Sequence, residues 1–275
     1  MKKLAIIFIT TAFFAHSSFA ETTGTAAANE FDIASGASGT ASVSAQAPQQ
    51  STPIDKNMAI VTITKHEEDA KLAYAIDVNY PQITGENLSP AAQKFNQLVT
   101  DKVNQNIQQF KNYVKADMPH MQTLPDSVKH NHFRMDYHVD ILKPANQFLL
   151  SLRLSMEGMQ AGRAHPYHTH DVLNFDLKKG TVLILKDLFK PRVNYLNVLS
   201  KYCEQKLNEK LQEKWMIKEG AAPLAKNYPL WNLNKTGILI TFEEYQVAPY
   251  YEGAQEVEVP YSALKKFLAL NSVVR

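Results

Sequence analysis

Residues 237–268 read GILITFEEYQVAPYYEGAQEVEVPYSALKKFL, a stretch with two alternating segments separated by an aromatic loop. Apolar side chains recur at every second position in 238–242 and again in 257–259, which is the period of a strand with one buried face. Pro260 ends the second strand because proline has no backbone N–H to donate to a sheet. Ser262 is a favoured N-cap residue, so a short helix is expected to follow. The stretch predicts strand, loop, strand and helix.

The loop at residues 245–253 carries Tyr245, Tyr250 and Tyr251, and it ends at Gly253. Tyrosine offers a large contact area and loses little entropy when it is immobilised, so a rigid loop of tyrosines suits partner recognition. An alternative interpretation assigns some of these rings to packing. We expect Tyr245 and Tyr261 to belong to the core, and Tyr250 and Tyr251 to be exposed.

Three segments resemble the RsiV-type C-terminal domain: AGRAHP at 161–166, NFDLKKGTVLILKDLF at 174–189 and YQVAPYYEGAQEVEVPYSAL at 245–264. This family of exported domains is named for an anti-sigma factor whose extracytoplasmic part binds lysozyme. It also precedes the catalytic domain in some peptidoglycan deacetylases. The resemblance implies such a domain over residues 158–275. The candidate ligand-binding residues on its motifs are His165, Tyr245, Tyr250, Tyr251 and Gly253.

The first 20 residues have the three parts of a secretory signal peptide. Lys2 and Lys3 precede a short apolar run, and small residues stand before a predicted cut after Ala20. That run is too short for a membrane span and no later stretch is long enough. We therefore expect a periplasmic or secreted protein that has no membrane span after cleavage.

Residues 21–56 contain almost no large apolar side chains. Such a segment buries too little surface to offset the entropy lost on ordering, so a disordered linker is predicted, with the folded part beginning near Asn57. Cleavage after Ala20 removes two of the 29 basic residues. The remaining basic residues then equal the 27 acidic residues in number. This balance argues against nucleic acid or an anionic membrane surface as the main partner.

Residues 57–157 predict a hairpin, a helix and a second hairpin. Val61 and Ile63 begin the first hairpin, residues 66–69 form its charged turn, and Pro81 ends it. Ser89 and Pro90 then open a helix, which residues 116–130 follow as a loop. The apolar stripe of this helix is Phe95, Val99, Val103, Ile107, Phe110 and Val114. The predicted fold class is α+β, with antiparallel β-sheets and helices packed on one face.

Cys203 is the only cysteine, so no intramolecular disulfide can form. It falls on the apolar stripe of a helix predicted over residues 194–211, together with Leu199 and Leu207. A buried cysteine on such a stripe behaves as a small hydrophobe, and we expect that role in preference to a reactive thiol.

His168 and His170 lie two positions apart on a predicted strand, on the face that we expect to be exposed to solvent. Two imidazoles at this spacing suit one zinc or copper ion, provided that His132, His138 or Asp136 of a neighbouring strand supplies a third ligand. The alternative, which we favour, is that exposed strand positions tolerate histidine. The resemblance matches only the His165-Pro166 dipeptide and supports neither histidine as a ligand. We expect no metal and no cofactor.

The sequence lacks the short motifs of common hydrolases and nucleotide-binding enzymes. Together with this absence, the resemblance and the aromatic loop imply an exported, non-enzymatic binding domain whose partner is a lysozyme-like wall hydrolase or another component of the cell envelope. The alternative is a protein that binds peptidoglycan, or a wall-modifying enzyme with an unrecognised site.

Overall fold

The computed structural model of the protein describes residues 51–144 and 147–269, in which there are ten strands and four α-helices. The predicted signal peptide and most of the predicted linker lie outside these residues. The strands are β1 (Thr52–Pro53), β2 (Met58–Asp69), β3 (Tyr74–Gly85), β4 (Asn131–Leu142), β5 (Leu149–Met159), β6 (Tyr167–Asp176), β7 (Thr181–Val182), β8 (Trp231–Leu233), β9 (Gly237–Phe242) and β10 (Gln255–Pro260). The helices are α1 (Pro90–Met121), α2 (Tyr195–Lys210), α3 (Ile217–Gly220) and α4 (Tyr261–Leu264).

Strands β1 to β7 form one seven-stranded sheet in chain order, and β8, β9 and β10 form a second, three-stranded sheet. All neighbouring pairs are antiparallel except β3 and β4, which run parallel. The parallel pair needs a crossover, and α1 provides it. The α+β class with antiparallel-dominated sheets is confirmed.

Helix α1 begins as predicted, with the Ser89 hydroxyl accepting a hydrogen bond from the Ala92 amide and Pro90 in the first turn. All six residues of its predicted stripe are buried against the seven-stranded sheet. The predicted end is wrong, because the helix continues past residue 116 to Met121 and contains Pro119 in its last turn. Pro119 lacks the N–H that would donate to the Lys115 carbonyl, so it weakens the last turn of the helix without ending the helix at that point.

The first hairpin is longer than predicted at both ends. The charged residues 66–69 belong to β2 rather than to a turn, and Pro81 lies inside β3, opposite Thr62. The other edge of β3 is paired with β4 only from Tyr74 to Val78, so no strand requires an amide from Pro81 on that side.

The ordered chain also starts earlier than predicted. Thr52 and Pro53 pair with Ile60 and Ala59 of β2, so the linker prediction is wrong for the residues from Thr52 onward. Ile54 is buried. Its apolar side chain provides the burial that the rest of the segment lacks.

A second core lies between α2 and the three-stranded sheet. Cys203 is buried there with Leu199 and Leu207, as the helical stripe predicts. Burial raises the pKa of the Cys203 thiol to about 12. The thiol therefore stays protonated at neutral pH, as expected of a cysteine packed in a core.

The three-stranded sheet covers part of the face of the large sheet opposite α1. Asn174 is buried, and its side-chain amide donates to the Trp231 carbonyl at 2.8 Å. Ser151 donates to Asn174 and accepts from Asn232, which joins the two sheets through buried polar groups. The division of the folded chain at 157/158 stays a prediction, and the strand Leu149–Met159 runs across it.

Strand β10 ends at Pro260 as predicted, and α4 follows directly. The N-cap prediction is wrong, because Pro260 occupies the cap position and Ser262 lies inside the helix. Within the described part of the chain, no helix is long and apolar enough to cross a membrane.

Candidate functional site

The aromatic loop (residues 245–253) connects β9 to β10 and is held on its inner side. Val247 and Ala248 are buried in the second core. The side-chain amide of Gln246 donates to the carbonyls of Gly220 and Asn227, each at 3.0 Å. At the C-terminal end of the loop, the side-chain amide of Gln255 donates to the Glu252 carbonyl at 2.6 Å. These bonds fix the backbone of the loop and direct its tyrosines outward.

Three of the candidate residues meet on one side of the loop. The imidazole of His165 stacks on the ring of Tyr250, with centroids 3.9 Å apart and planes at 27°. Tyr250 in turn lies 5.8 Å from Tyr245, ring centre to ring centre. The Tyr250 hydroxyl donates to the Pro166 carbonyl at 2.7 Å. We call the side chains of His165, Tyr250 and Tyr245 the aromatic platform.

Tyr245 is half-exposed rather than part of the core, so that prediction is wrong. Its backbone has a φ of 64°, in the left-handed region that residues other than glycine rarely adopt. The turn therefore directs the ring away from the core and toward Tyr250. Tyr261 is buried as predicted, and its hydroxyl donates to the Asn234 carbonyl at 2.9 Å.

Tyr251 and Gly253 complete the loop. Tyr251 is 72% exposed, among the most exposed large apolar side chains of the described residues. Gly253 has a φ of 68° and its amide donates to the Tyr250 carbonyl at 2.8 Å. Glycine adopts this conformation without steric cost, so the chain can turn back toward β10 immediately after the tyrosines.

Two histidine–glutamate pairs attach the start of the loop to β6. Nδ1 of His168 lies 2.7 Å from Oε1 of Glu244. Glu243 accepts a hydrogen bond from the His170 amide at 2.7 Å, and its other oxygen lies 3.1 Å from Nδ1 of the same residue. Glu243 and Glu244 directly follow β9 in the sequence. Their partners on β6 are far away in the sequence, so only the fold reveals the contact.

The three-ligand arrangement that a metal would require does not form between these strands. Strand β5 lies between β4 and β6, so His168 faces Glu157 of β5 instead of a histidine of β4. The side chain of His170 is only 10% exposed, which corrects its predicted solvent position. In residues 51–144 and 147–269, no group of three or more histidine, cysteine or acidic side chains is placed to hold a metal ion.

Carboxylates flank the aromatic platform. Glu157 lies 3.4 Å from Nε2 of His168, and Glu244 binds the other ring nitrogen. Partial desolvation and the nearby Glu244 carboxylate raise the pKa of Tyr250 above its ordinary value. The platform is therefore a set of stacked rings beside negative charge.

Comparison with known proteins finds a family match that includes the loop. Residues 186–262 match DUF3298, a family of proteins of unknown function. The match includes the whole aromatic loop and most of the second core. The predicted resemblance to RsiV-type domains is confirmed by the two relatives described next.

Two curated proteins of Bacillus subtilis are similar to this chain. The peptidoglycan-N-acetylmuramic acid deacetylase PdaC is 29% identical over 195 residues, which cover 70% of this chain but 38% of PdaC. The anti-sigma-V factor RsiV is 25% identical over 239 residues, covering 84% of this chain and 78% of RsiV. The similarity to PdaC thus covers less than half of that protein.

Two crystal structures share the fold. A DUF3298 member from Bacteroides fragilis aligns with a TM-score of 0.56 at 18% identity, covering 78% of this chain and 96% of the other. A DUF3298 protein from Pseudomonas aeruginosa aligns with a TM-score of 0.54 at 13% identity, covering 81% and 99%. At these identities the likeness concerns the fold.

Proposed function

We propose that this protein is an exported, non-enzymatic binding domain, and that its aromatic platform and Tyr251 bind a lysozyme-like wall hydrolase. The observation that carries the proposal is the stack of His165 on Tyr250, which brings together two family motifs that lie more than 80 residues apart in the sequence. The site is held by hydrogen bonds before any partner arrives. Such preorganisation lowers the entropy cost of association.

The chemistry of the platform suits a protein partner. Tyrosine side chains are enriched among the residues that dominate protein interfaces, because they bury a large area and carry one polar group. The half-exposed Tyr245 and the exposed Tyr251 provide such area. The flanking carboxylates Glu157 and Glu244 favour a partner with a basic surface.

Export is part of the proposal. The predicted signal peptide would deliver the domain to the compartment in which wall hydrolases act. The similarity to RsiV, an anti-sigma factor, and to PdaC, a peptidoglycan deacetylase, supports a role at the cell envelope.

Binding of purified lysozyme to the immobilised chain, measured by biolayer interferometry at several salt concentrations, tests the proposal. We expect saturable binding that weakens as salt rises. A Tyr251→Ala variant should bind at least about fivefold more weakly, since an exposed aromatic anchor typically contributes about 1 kcal/mol or more. Ile184→Ala is the matched control, because Ile184 is also exposed and lies near β7, at the other end of β6. Equal binding by all three chains, or no binding by any, overturns the proposal.

Peptidoglycan is the second candidate ligand, and the exposed ring of Tyr251 is the observation that favours it. Aromatic faces stack on sugar rings as well as on proteins. Co-sedimentation with purified peptidoglycan tests this possibility. Chromatography of the muropeptides after incubation tests the non-enzymatic part of the proposal, for which an unchanged profile is expected.

A further inference from the structure

A polar cleft lies where the large sheet meets the three-stranded sheet. Its volume is about 500 Å³, within the usual range for a small-molecule site and equal to the liquid volume of about 16 water molecules. Eight of its nine lining residues are polar or charged, and Leu239 is the exception. None of the residues of the aromatic platform lines it. The proposed function therefore makes no use of this cleft.

Strand pairing builds the floor of the cleft. Ser151, Arg153 and Ser155 alternate along β5 and so share one face of the large sheet, opposite α1. On β4, His138 and Asp140 lie directly opposite Arg153 and Ser151 in the register. Side chains that face each other on paired strands lie about 5 Å apart, so these five form one polar block. The backbones of two central strands hold this block in place.

The three-stranded sheet supplies the facing wall. Glu256 of β10 accepts a hydrogen bond from Nη1 of Arg153. Asn232 of β8 donates to the Leu152 carbonyl at 3.0 Å and to the Ser151 hydroxyl at 3.0 Å. These bonds attach the wall to the floor, so the cleft is formed before any ligand arrives.

Two buried polar atoms of the cleft residues have no hydrogen-bond partner within residues 51–144 and 147–269. They are Nε of Arg153, which is a donor, and Oδ1 of Asn232, which is an acceptor. The Arg153 side chain is 15% exposed and Asn232 is 5% exposed. A buried polar group without a partner destabilises a fold and calls for an explanation. A ligand in the cleft that both accepts and donates hydrogen bonds would supply the two missing partners.

The charges and shapes of the lining side chains favour an uncharged sugar. Asp140 and Glu256 are acidic against one basic residue, Arg153, so the cleft disfavours an anion. Carboxylate, guanidinium and amide groups are planar and present two atoms side by side, which suits the neighbouring hydroxyl groups of a sugar ring. An acetamido substituent on that ring adds one acceptor and one donor, the complement of the two unpartnered atoms.

We propose that this cleft binds an uncharged N-acetylated sugar unit through Asp140, Arg153, Asn232 and Glu256. The site is separate from the surface that binds the wall hydrolase, and sugar binding does not require that partner. It gives the domain a second ligand, recognised by hydrogen bonds between the two sheets.

Titration of the purified, isotope-labelled chain with tri-N-acetylchitotriose, followed by NMR, tests the proposal. We expect saturable shifts of the amides that surround the cleft, on β4, β5 and β8 to β10. Maltotriose has the hydroxyl groups without the acetamido groups, so it should bind at least about tenfold more weakly.

Variants of the lining residues locate the site. Asp140→Asn and Arg153→Lys should each bind the sugar at least about tenfold more weakly, because each loses a charge-assisted or two-atom contact. Ser155 is exposed, so Ser155→Gln should fold normally while its longer side chain fills part of the cleft and blocks binding. Asp101→Asn, at an exposed position of α1 on the other side of the large sheet, is the control and should bind as wild type does. A thermal melt of each variant checks its folding.

The outcomes separate this site from the proposed function. Tyr251→Ala should keep its affinity for tri-N-acetylchitotriose while it loses affinity for lysozyme. The cleft proposal is overturned if the sugar causes no saturable shifts, if the shifts are confined to the aromatic loop, or if folded Ser155→Gln binds as tightly as wild type. None of these results bears on lysozyme binding, and a failure to bind lysozyme leaves the cleft proposal standing.

Discussion

The imidazole of His165 lies flat on the ring of Tyr250, with centroids 3.9 Å apart, and the Tyr250 hydroxyl donates to the carbonyl of the next residue, Pro166. The two residues come from different motifs, and their contact joins the loop before β6 to the loop before β10. This joint gives the aromatic loop its position relative to the large sheet. The contribution of this contact to the free energy of unfolding can be measured by truncating the Tyr250 side chain in two steps.

Tyr250→Phe should lower the free energy of unfolding by about 1 kcal/mol, because it removes the bond to Pro166 and keeps the ring. Tyr250→Ala also removes the stack, for a total of about 2 kcal/mol. Urea unfolding measures both values. Tyr251→Ala is the control and should stay within about 0.5 kcal/mol of wild type, since the side chain is exposed. Equal losses for the two alanine variants would mean that the stack contributes nothing.

Glu243 should protect the His170 amide from hydrogen exchange, because its carboxylate accepts that N–H at 2.7 Å. In Glu243→Ala we expect faster exchange at His170 and a loss of about 1–3 kcal/mol, the cost of an unpaired and largely buried group. Hydrogen exchange followed by NMR measures the rate. Glu258→Ala, on β10, is the control and should leave the rate unchanged. Unchanged exchange in Glu243→Ala would show that the carboxylate does not hold the strand.

Cys203 should be unreactive in the folded protein. Burial raises the pKa of its thiol to about 12, so almost no thiolate exists at pH 8, and the side chain is inaccessible. Ellman's reagent should modify about one thiol per chain in urea and almost none in buffer. Rapid modification without denaturant would contradict the packed position on α2.

The pair of His66 and Asp77 predicts a pH dependence on the exposed side of β2 and β3. The hydrogen bond to Asp77, at 2.6 Å, raises the pKa of His66 above its ordinary value of 6.5. Although burial alone would raise it, the pKa of Asp77 is lowered below 3.8 by its bonds to His66 and His132. The contribution of His66 is lost as pH rises through its folded pKa, and that of Asp77 is lost on acidification below 3.8.

The pair should therefore stabilise the fold mainly between about pH 4 and 6.5, by less than about 1 kcal/mol because both groups are half-exposed. NMR titration of the His66 ring should give a pKa above 6.5, which Asp77→Asn should bring down. His138→Gln, on another strand, is the control. A normal pKa for His66 in the wild-type chain would contradict the bond.

Zinc should not raise the melting temperature through His168 and His170. Each Nδ1 is hydrogen-bonded to a glutamate, and β5 separates both residues from His132 and His138. A metal at 100 times its dissociation constant would contribute about 2.7 kcal/mol, or several degrees. A thermal melt with and without zinc measures the shift. A rise that disappears in the His168→Ala/His170→Ala double variant would establish a metal site.

Much of the secondary structure could be predicted because its signals are local. The apolar stripe of α1, the cap at Ser89 and the stripe around Cys203 depend only on residues within a few turns of helix. Two of the incorrect boundaries concern prolines, which the local pattern predicts to end a helix or a strand. Pro119 and Pro81 break regular structure in general, but α1 continues to Met121, and Pro81 lies where β4 leaves the edge of β3 unpaired.

The amino-acid sequence by itself determined which residues alternate, where α1 begins, where α2 lies and that a tyrosine-rich loop lies between β9 and β10. Only the tertiary structure decided what that loop contacts. The order of the strands puts β5 between β4 and β6, and the second sheet covers β6, so His170 meets Glu243 and His165 meets Tyr250. Periodicity reports which face of an element is apolar, but contacts between distant segments depend on strand order and register, which no local pattern encodes.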